Sequence, residues 1–259
     1  MHFLCADWSA HERGRAAALA DTTTRRVSLV EGPITLSRLL EVADRLAGPV
    51  VVGIDAPLGA PRSLLGALAV DDFRGLLRLA SASSSFFSPV TQATQWRPHQ
   101  PFFAVPAGTG SLTAFRDAAR SFGVELLREV DRQTGGKSFA ITSGIPGSVG
   151  SGAIALWREL IPRLDDAGLR LWPFDGVDLA ALVADHVVVA EIYPRAAYAS
   201  ALVDVDAAVR PQVTIAKTRP AVRAAALEAL LASSWRQAAG VEIAADAITA
   251  ARDSEDVFD

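Results

Sequence analysis

The chain is short of cysteine, lysine, tyrosine and long apolar runs, and each shortage narrows what it can be. Its one cysteine, Cys5, excludes an internal disulfide and any zinc site built on thiolates. No apolar run approaches the roughly 18 residues that a membrane-spanning helix needs. The opening residues, Met1-His2-Phe3-Leu4-Cys5-Ala6-Asp7, lack the basic flank and apolar stretch of a secretory signal, so the expected compartment is the cytoplasm. A Gly-x-Ser-x-Gly elbow is missing, which removes the common serine-hydrolase arrangement. The four histidines, His2, His11, His99 and His186, have no metal-ligand spacing. Basic charge does not predominate either. A net charge of −4 and a sequence pI near 5.6 argue against a basic nucleic-acid coat protein, though not against an enzyme that binds nucleic acid locally.

What is present supports a folded globular chain. Half of the 259 residues are apolar and 21% are charged, a balance that supports a buried core and excludes a disordered or fibrous chain. Twenty-three arginines stand against two lysines, Lys137 and Lys217. Against that background each lysine is a hint that an ammonium is wanted at its position.

Periodicity divides the chain. Residues 2–6, 15–21 and 25–30 read as strands, with Asp21-Thr22-Thr23-Thr24 as the turn of a hairpin. Residues 35–47 have helical spacing, with Thr35 as N-cap and Gly48 as stop. Pro49-Val50-Val51-Val52-Gly53-Ile54-Asp55 is a continuous β-branched run, which predicts a parallel strand covered on both faces. Residues 61–186 differ in texture: they lack tyrosine, strands are hard to find, and 112–127 and 152–167 look helical. They are expected to form a mostly helical insertion packed on a core of residues 1–60 and 187–259. Strand character returns at 186–192. A helix is expected over 220–239, with Pro220 in its first turn, and a last one from about residue 244.

Three strand runs finish at an acidic residue: Cys5-Ala6-Asp7, Gly53-Ile54-Asp55 and Ala190-Glu191-Ile192. A carboxylate at the edge of an apolar strand is costly unless it is solvated, paired or bound to a cation. Asp256 and Asp259 are three apart, which on a helix puts both on one face. Converging carboxylates suit Mg²⁺ or Mn²⁺ rather than zinc, and two such ions are the usual machinery of phosphodiester hydrolysis. Solvated strand ends are the plainer alternative.

Ala6-Asp7-Trp8-Ser9, Gly53-Ile54-Asp55-Ala56-Pro57-Leu58-Gly59, Trp172-Pro173-Phe174-Asp175, Glu191-Ile192-Tyr193-Pro194-Arg195 and Asp256-Val257-Phe258-Asp259 resemble the motifs of one family. It is the domain-of-unknown-function 429 family, described as predicted ribonuclease H-like nucleases. The resemblance runs through essentially the whole chain. It implies an α/β fold: a ribonuclease H-like mixed sheet with flanking helices and a mostly helical insertion. It also implies acidic metal ligands on the first, fourth and fifth strands and on the last helix, which fall here on Asp7, Asp55, Glu191 and the Asp256/Asp259 pair. In sequences of this type an Ala-rich helix continues from the final aspartate, where this chain ends.

A second constellation lies in the insertion: Arg128-Glu129-Val130-Asp131-Arg132, Gly135-Gly136-Lys137-Ser138 and the glycine-rich residues 144–152. Gly136-Lys137-Ser138 resembles the end of a P-loop, but Asp131 stands where the earlier glycine is required. Gly150-Ser151-Gly152 precedes a helix without an abutting strand, which argues against a dinucleotide site. What survives is an anion-binding arrangement of glycine amides, including those of Gly147 and Gly150, with Arg132 and Lys137 near in sequence. A flexible loop capping a helix is the alternative.

The expected function is therefore metal-dependent phosphodiester hydrolysis with Mg²⁺ or Mn²⁺ on the carboxylates. Arg132, Lys137, Gly147, Gly150 and Lys217 would meet the substrate, a nucleic acid or a small phosphorylated compound. The rivals are a nucleotide-dependent phosphotransferase or nucleotide hydrolase on a related core, and a non-catalytic binding protein. Cys5 is expected to be buried and inert. The tryptophans are expected to pack in cores rather than stack on bases, with Trp8, adjacent to Asp7, as the exception. The pairs Phe86-Phe87 and Phe102-Phe103 are expected in cores rather than lining a cleft.

Overall fold

The structure, a computed structural model, describes residues 1–106, 112–143, 148–185, 187–202 and 215–258. It is α/β, with a mixed sheet flanked by helices. The chain forms two compact units, Met1–Asp55 with Gly168–Asp259, and Ala56–Ala167.

The first unit opens with β1 (His2–Asp7), β2 (Ala16–Asp21) and β3 (Arg26–Leu29), an antiparallel meander. Helix α1 (Leu36–Asp44) follows, and the Thr35 hydroxyl accepts from the Arg38 amide at 3.0 Å to cap it. Strand β4 (Val50–Asp55) then lies parallel to β1. Val50 to Ile54 are all buried, as a valine run with no polar alternation requires.

The second unit holds α2 (Arg62–Ala67), α3 (Phe73–Ala82), β5 (Phe103–Ala104), α4 (Thr113–Arg120), α5 (Glu129–Thr134), β6 (Ile141–Ser143) and α6 (Gly150–Leu160). Strands β5 and β6 pair parallel in a small sheet of their own. Its core is aromatic. Phe102 meets Phe86, Phe139 and Trp157 edge-on, and Phe139 stacks on Trp157 with centroids 5.6 Å apart. The aromatic pairs expected in cores are accordingly represented there by Phe86, Phe102 and Phe103, all fully buried.

The first unit resumes with β7 (Leu169–Trp172), α7 (Leu179–Asp185), β8 (Val187–Glu191), α8 (Pro194–Leu202), α9 (Pro220–Ala232), α10 (Ser234–Ala239), β9 (Glu242–Ile243), α11 (Ala245–Asp253) and α12 (Glu255–Phe258). Among the described residues its sheet has seven strands, ordered β7-β8-β4-β1-β2-β3-β9. Strands β7, β8, β4 and β1 run parallel. Helix α7 packs on one face of the sheet, where Val183, Leu179 and Leu182 meet Phe3, Val51, Val188, Ala190 and Trp172.

Several boundaries differ from the sequence reading. The separate unit spans 56–167, not 61–186, because β7 is a strand of the large sheet and α7 packs against it. The helix expected over 112–127 stops at Arg120, and the one expected at 152–167 starts at Gly150 and ends at Leu160, followed by a 3₁₀ turn. The helix expected over 220–239 is two helices, because Ser233 is extended (ψ 137°). Ser254 likewise divides α11 from α12. Cys5 is exposed rather than buried. Its neighbours across the ladder are Ala18 and Gly53, and neither has the side chain to cover a thiol.

Candidate functional site

Strand register builds the site. Asp7 ends β1 and Asp55 ends β4, and the two are partners in the parallel ladder. Parallel partners project to the same face, so register alone sets the two carboxylates side by side. Neither strand continues: Asp7 is followed by Trp8-Ser9, and Asp55 by Ala56-Pro57. Within the second unit, the chain just after Asp55 is held by two bonds. The Trp157 indole N–H donates to the Pro57 carbonyl at 2.8 Å, and the Arg128 guanidinium to the Leu58 carbonyl at 3.2 Å.

Both carboxyls resist ionisation. Asp55 is pushed up to about 7, first by burial and then by the negative charge of Asp7; Lys217 lowers it and Glu191 raises it. Asp7 is pushed up to about 6, again mainly by burial. Lys217 and the Trp8 amide lower it, while Asp256 and Glu255 raise it. Four charged groups of the same unit, Lys217, Glu191, Asp256 and Glu255, therefore act on a single strand-end pair.

Glu191 is out of step. Its ladder partner is Ile54, not Asp55, so alternation assigns it to the other face of the sheet. The glycine at 53 marks the same offset. A Cβ there would lie 2.6 Å from Ile192 Cγ2 and 3.7 Å from Cys5 Sγ, which puts Ile192 on the Cys5, Gly53 and Asp55 side. Glu191 reaches Asp55 as a charge, the smallest of the named influences. Asp256 lies on α12, while Asp259 and Gly147 lie outside the described residues.

The remaining substrate candidates belong to the second unit. Arg132 is exposed and pairs with Glu129 at 3.2 Å. Lys137 is exposed in the turn between α5 and β6. Gly150 has a packing reason: a Cβ would come within 2.6 Å of the Phe139 and Ile141 carbonyl oxygens. Those oxygens present partial negative charge, the wrong sign for an anion cradle. Asp131 is structural, since its carboxylate takes the Arg128 Nη2 and Nε donors at 2.6 and 3.0 Å and caps α5 through the Arg128 amide at 2.8 Å.

Trp8 is a core residue with one specific partner. The Arg15 guanidinium stacks 3.7 Å from its ring centroid and donates to the Ser9 and Ile34 carbonyls. Sequence reasoning missed Arg223, on α9, because one arginine among twenty-three carries no signal and its partners are backbone carbonyls.

Among the described residues no three His, Cys, Asp or Glu side chains close around a point that could hold a metal ion. Asp7 and Asp55 by themselves fit a hard cation: two adjacent oxygen ligands whose mutual repulsion a cation would relieve. Mg²⁺ is commonly held through one or two carboxylates, its other positions taken by water and substrate phosphate. No helix among the described residues is long and apolar enough to cross a membrane. No family model, curated protein or solved structure matches the chain.

Proposed function

We propose that the chain is a metal-dependent phosphodiester hydrolase on a ribonuclease H-like core, with Asp7 and Asp55 holding Mg²⁺ or Mn²⁺. The observation that carries this reading is the in-register Asp7/Asp55 pair, buried enough that both carboxyls are raised toward neutrality. The resemblance of the strand-end motifs adds to it. It assigns acidic ligands to the first and fourth strands, the positions of this pair, and to the last helix, where Asp256 acts on Asp7 by charge.

When bound, the ion would neutralise phosphate charge and make a water molecule acidic enough to attack phosphorus. The rest of the chemistry belongs to the chain's own residues. Asp7 and Asp55 orient their oxygens from two rigid strands, which fixes the ion site more tightly than loop-borne ligands do. Lys217 offsets the local negative charge and would neutralise a substrate phosphate. Asp256 and Glu255 keep the site negative when it holds no cation. Glu191 adds charge from the neighbouring strand.

The test offers the purified chain, with Mn²⁺, a labelled oligonucleotide and the small diester bis(p-nitrophenyl) phosphate. Hydrolysis of either that stops on chelation and in Asp55→Asn supports the reading. Metal-independent turnover, or turnover unchanged in Asp55→Asn, overturns it. The substrate that turns over distinguishes a nuclease from a small-phosphodiester hydrolase.

A further inference from the structure

We propose that Arg223 is a positioning residue for the strand-end site, a clamp that fixes Lys217 and the Glu255/Asp256 turn together. Arg223 lies in the first turns of α9 and is 5% exposed. Its guanidinium points in three directions at once. Nη1 donates to the Lys217 carbonyl, Nε to the Arg252 carbonyl at 3.2 Å, and Nη2 to the Asp253 carbonyl at 3.2 Å. One side chain therefore joins a segment six residues upstream to one about thirty residues downstream.

The downstream partners are the last two residues of α11, where helix carbonyls lack intrahelical donors. A guanidinium at a helix C-terminus satisfies those groups and interacts favourably with the helix dipole. The cost of burying a charge needs such compensation. The consequence reaches further than stability. The residues just past the clamped carbonyls are Ser254, Glu255 and Asp256, and the residue clamped upstream is Lys217. These segments supply three of the charges that act on Asp7, and one of the three, Lys217, also acts on Asp55. Arg223 thus sets the balance of opposing charges at the carboxylate pair through backbone it holds, not by touching the pair. A planar fork with five donors can serve three divergent carbonyls, whereas a lysine ammonium is a single point and an apolar side chain serves none.

The effect on metal binding rests on the proposed function; the clamp itself does not. The test compares the full chain with Arg223→Lys and Arg223→Met by amide hydrogen exchange and by Mn²⁺ titration followed by electron paramagnetic resonance. In Arg223→Met, peptides covering residues 215–222 and 252–258 are expected to exchange roughly tenfold faster while β1 and β4 peptides keep their rates, the pattern of local opening. Arg223→Lys should fall between, and it carries the same test if the methionine variant fails to fold. Mn²⁺ should bind roughly tenfold more weakly to Arg223→Met, with partial recovery in Arg223→Lys, because the α12 segment that carries Asp256, a ligand in the resemblance, is then no longer held. Faster exchange in only one segment, or equally in β1 and β4, overturns the clamp. Both segments loosened with Mn²⁺ affinity unchanged overturns the positioning role. A wild-type chain that takes up no Mn²⁺ overturns the metal reading instead, and the exchange pattern then decides the clamp alone.

Discussion

Asp7 and Asp55 are register partners at the ends of β1 and β4, so the backbone ladder brings together two like charges that would separate if free to do so. Burial, with the charge of Asp7, raises Asp55 to about 7; burial, with the charges of Asp256 and Glu255, raises Asp7 to about 6, and this ties the pair to both stability and cation binding. The stability cost is present only where the pair must ionise.

That cost has a defined pH window. Each carboxyl keeps its proton to higher pH in the folded chain than in the unfolded one, where it titrates near 3.8. Between those limits the folded state binds more protons, so this contribution to stability falls as pH rises from about 4 to about 7 and stays lost above. Asp55→Asn removes the cost, and the metal-free variant should gain roughly 1–3 kcal/mol at pH 8 and little at pH 4. Urea melts in chelator at the two pH values check it. An equal change at both would contradict the assignment.

Lys217 acts in the opposite sense. It lowers both Asp7 and Asp55, so Lys217→Met should move both carboxyl titrations to higher pH, read by ¹³C resonances of labelled aspartate. Loss of one charge-assisted contact should also weaken binding of a short oligonucleotide by roughly ten-fold. Unmoved titrations would remove Lys217 from the site.

Two glycines separate packing from ligand binding. Gly53→Ala would bring Cβ to 2.6 Å from Ile192 Cγ2, an atom fixed by β-branching, and should cost roughly 1–3 kcal/mol by overpacking. The cost should shrink in an Ile192→Ala background. Gly150→Ala meets two carbonyl oxygens that cannot swing aside, so it should destabilise by about 3 kcal/mol or more. Denaturation curves measure both. A well-folded Gly150→Ala chain that had lost only phosphate affinity would restore the anion-loop reading.

Much of the first unit was legible in the sequence because its signals are local. The Val50–Ile54 run had no polar alternation and became a strand buried on both faces, and the threonine turn at 22–24 joined two strands. Thr35 capped α1 as its chemistry predicts. Non-local features were hidden. Four residues at Leu169–Trp172 are too few to show a period, so the sequence alone does not separate β7 from the insertion. Ending a strand at Glu191 says nothing of register, and register sets it beside Ile54. Arg223 binds carbonyls, which every residue has, so no partner in the sequence marks it.

The central claim, a divalent cation on Asp7 and Asp55, is tested most directly by a crystal soaked in Mn²⁺ and measured at the manganese absorption edge. The account predicts an anomalous peak in bonding contact with carboxylate oxygens of both residues, absent from crystals of Asp55→Asn. A peak elsewhere, or none at a concentration that saturates ordinary Mn²⁺ enzymes, would contradict it.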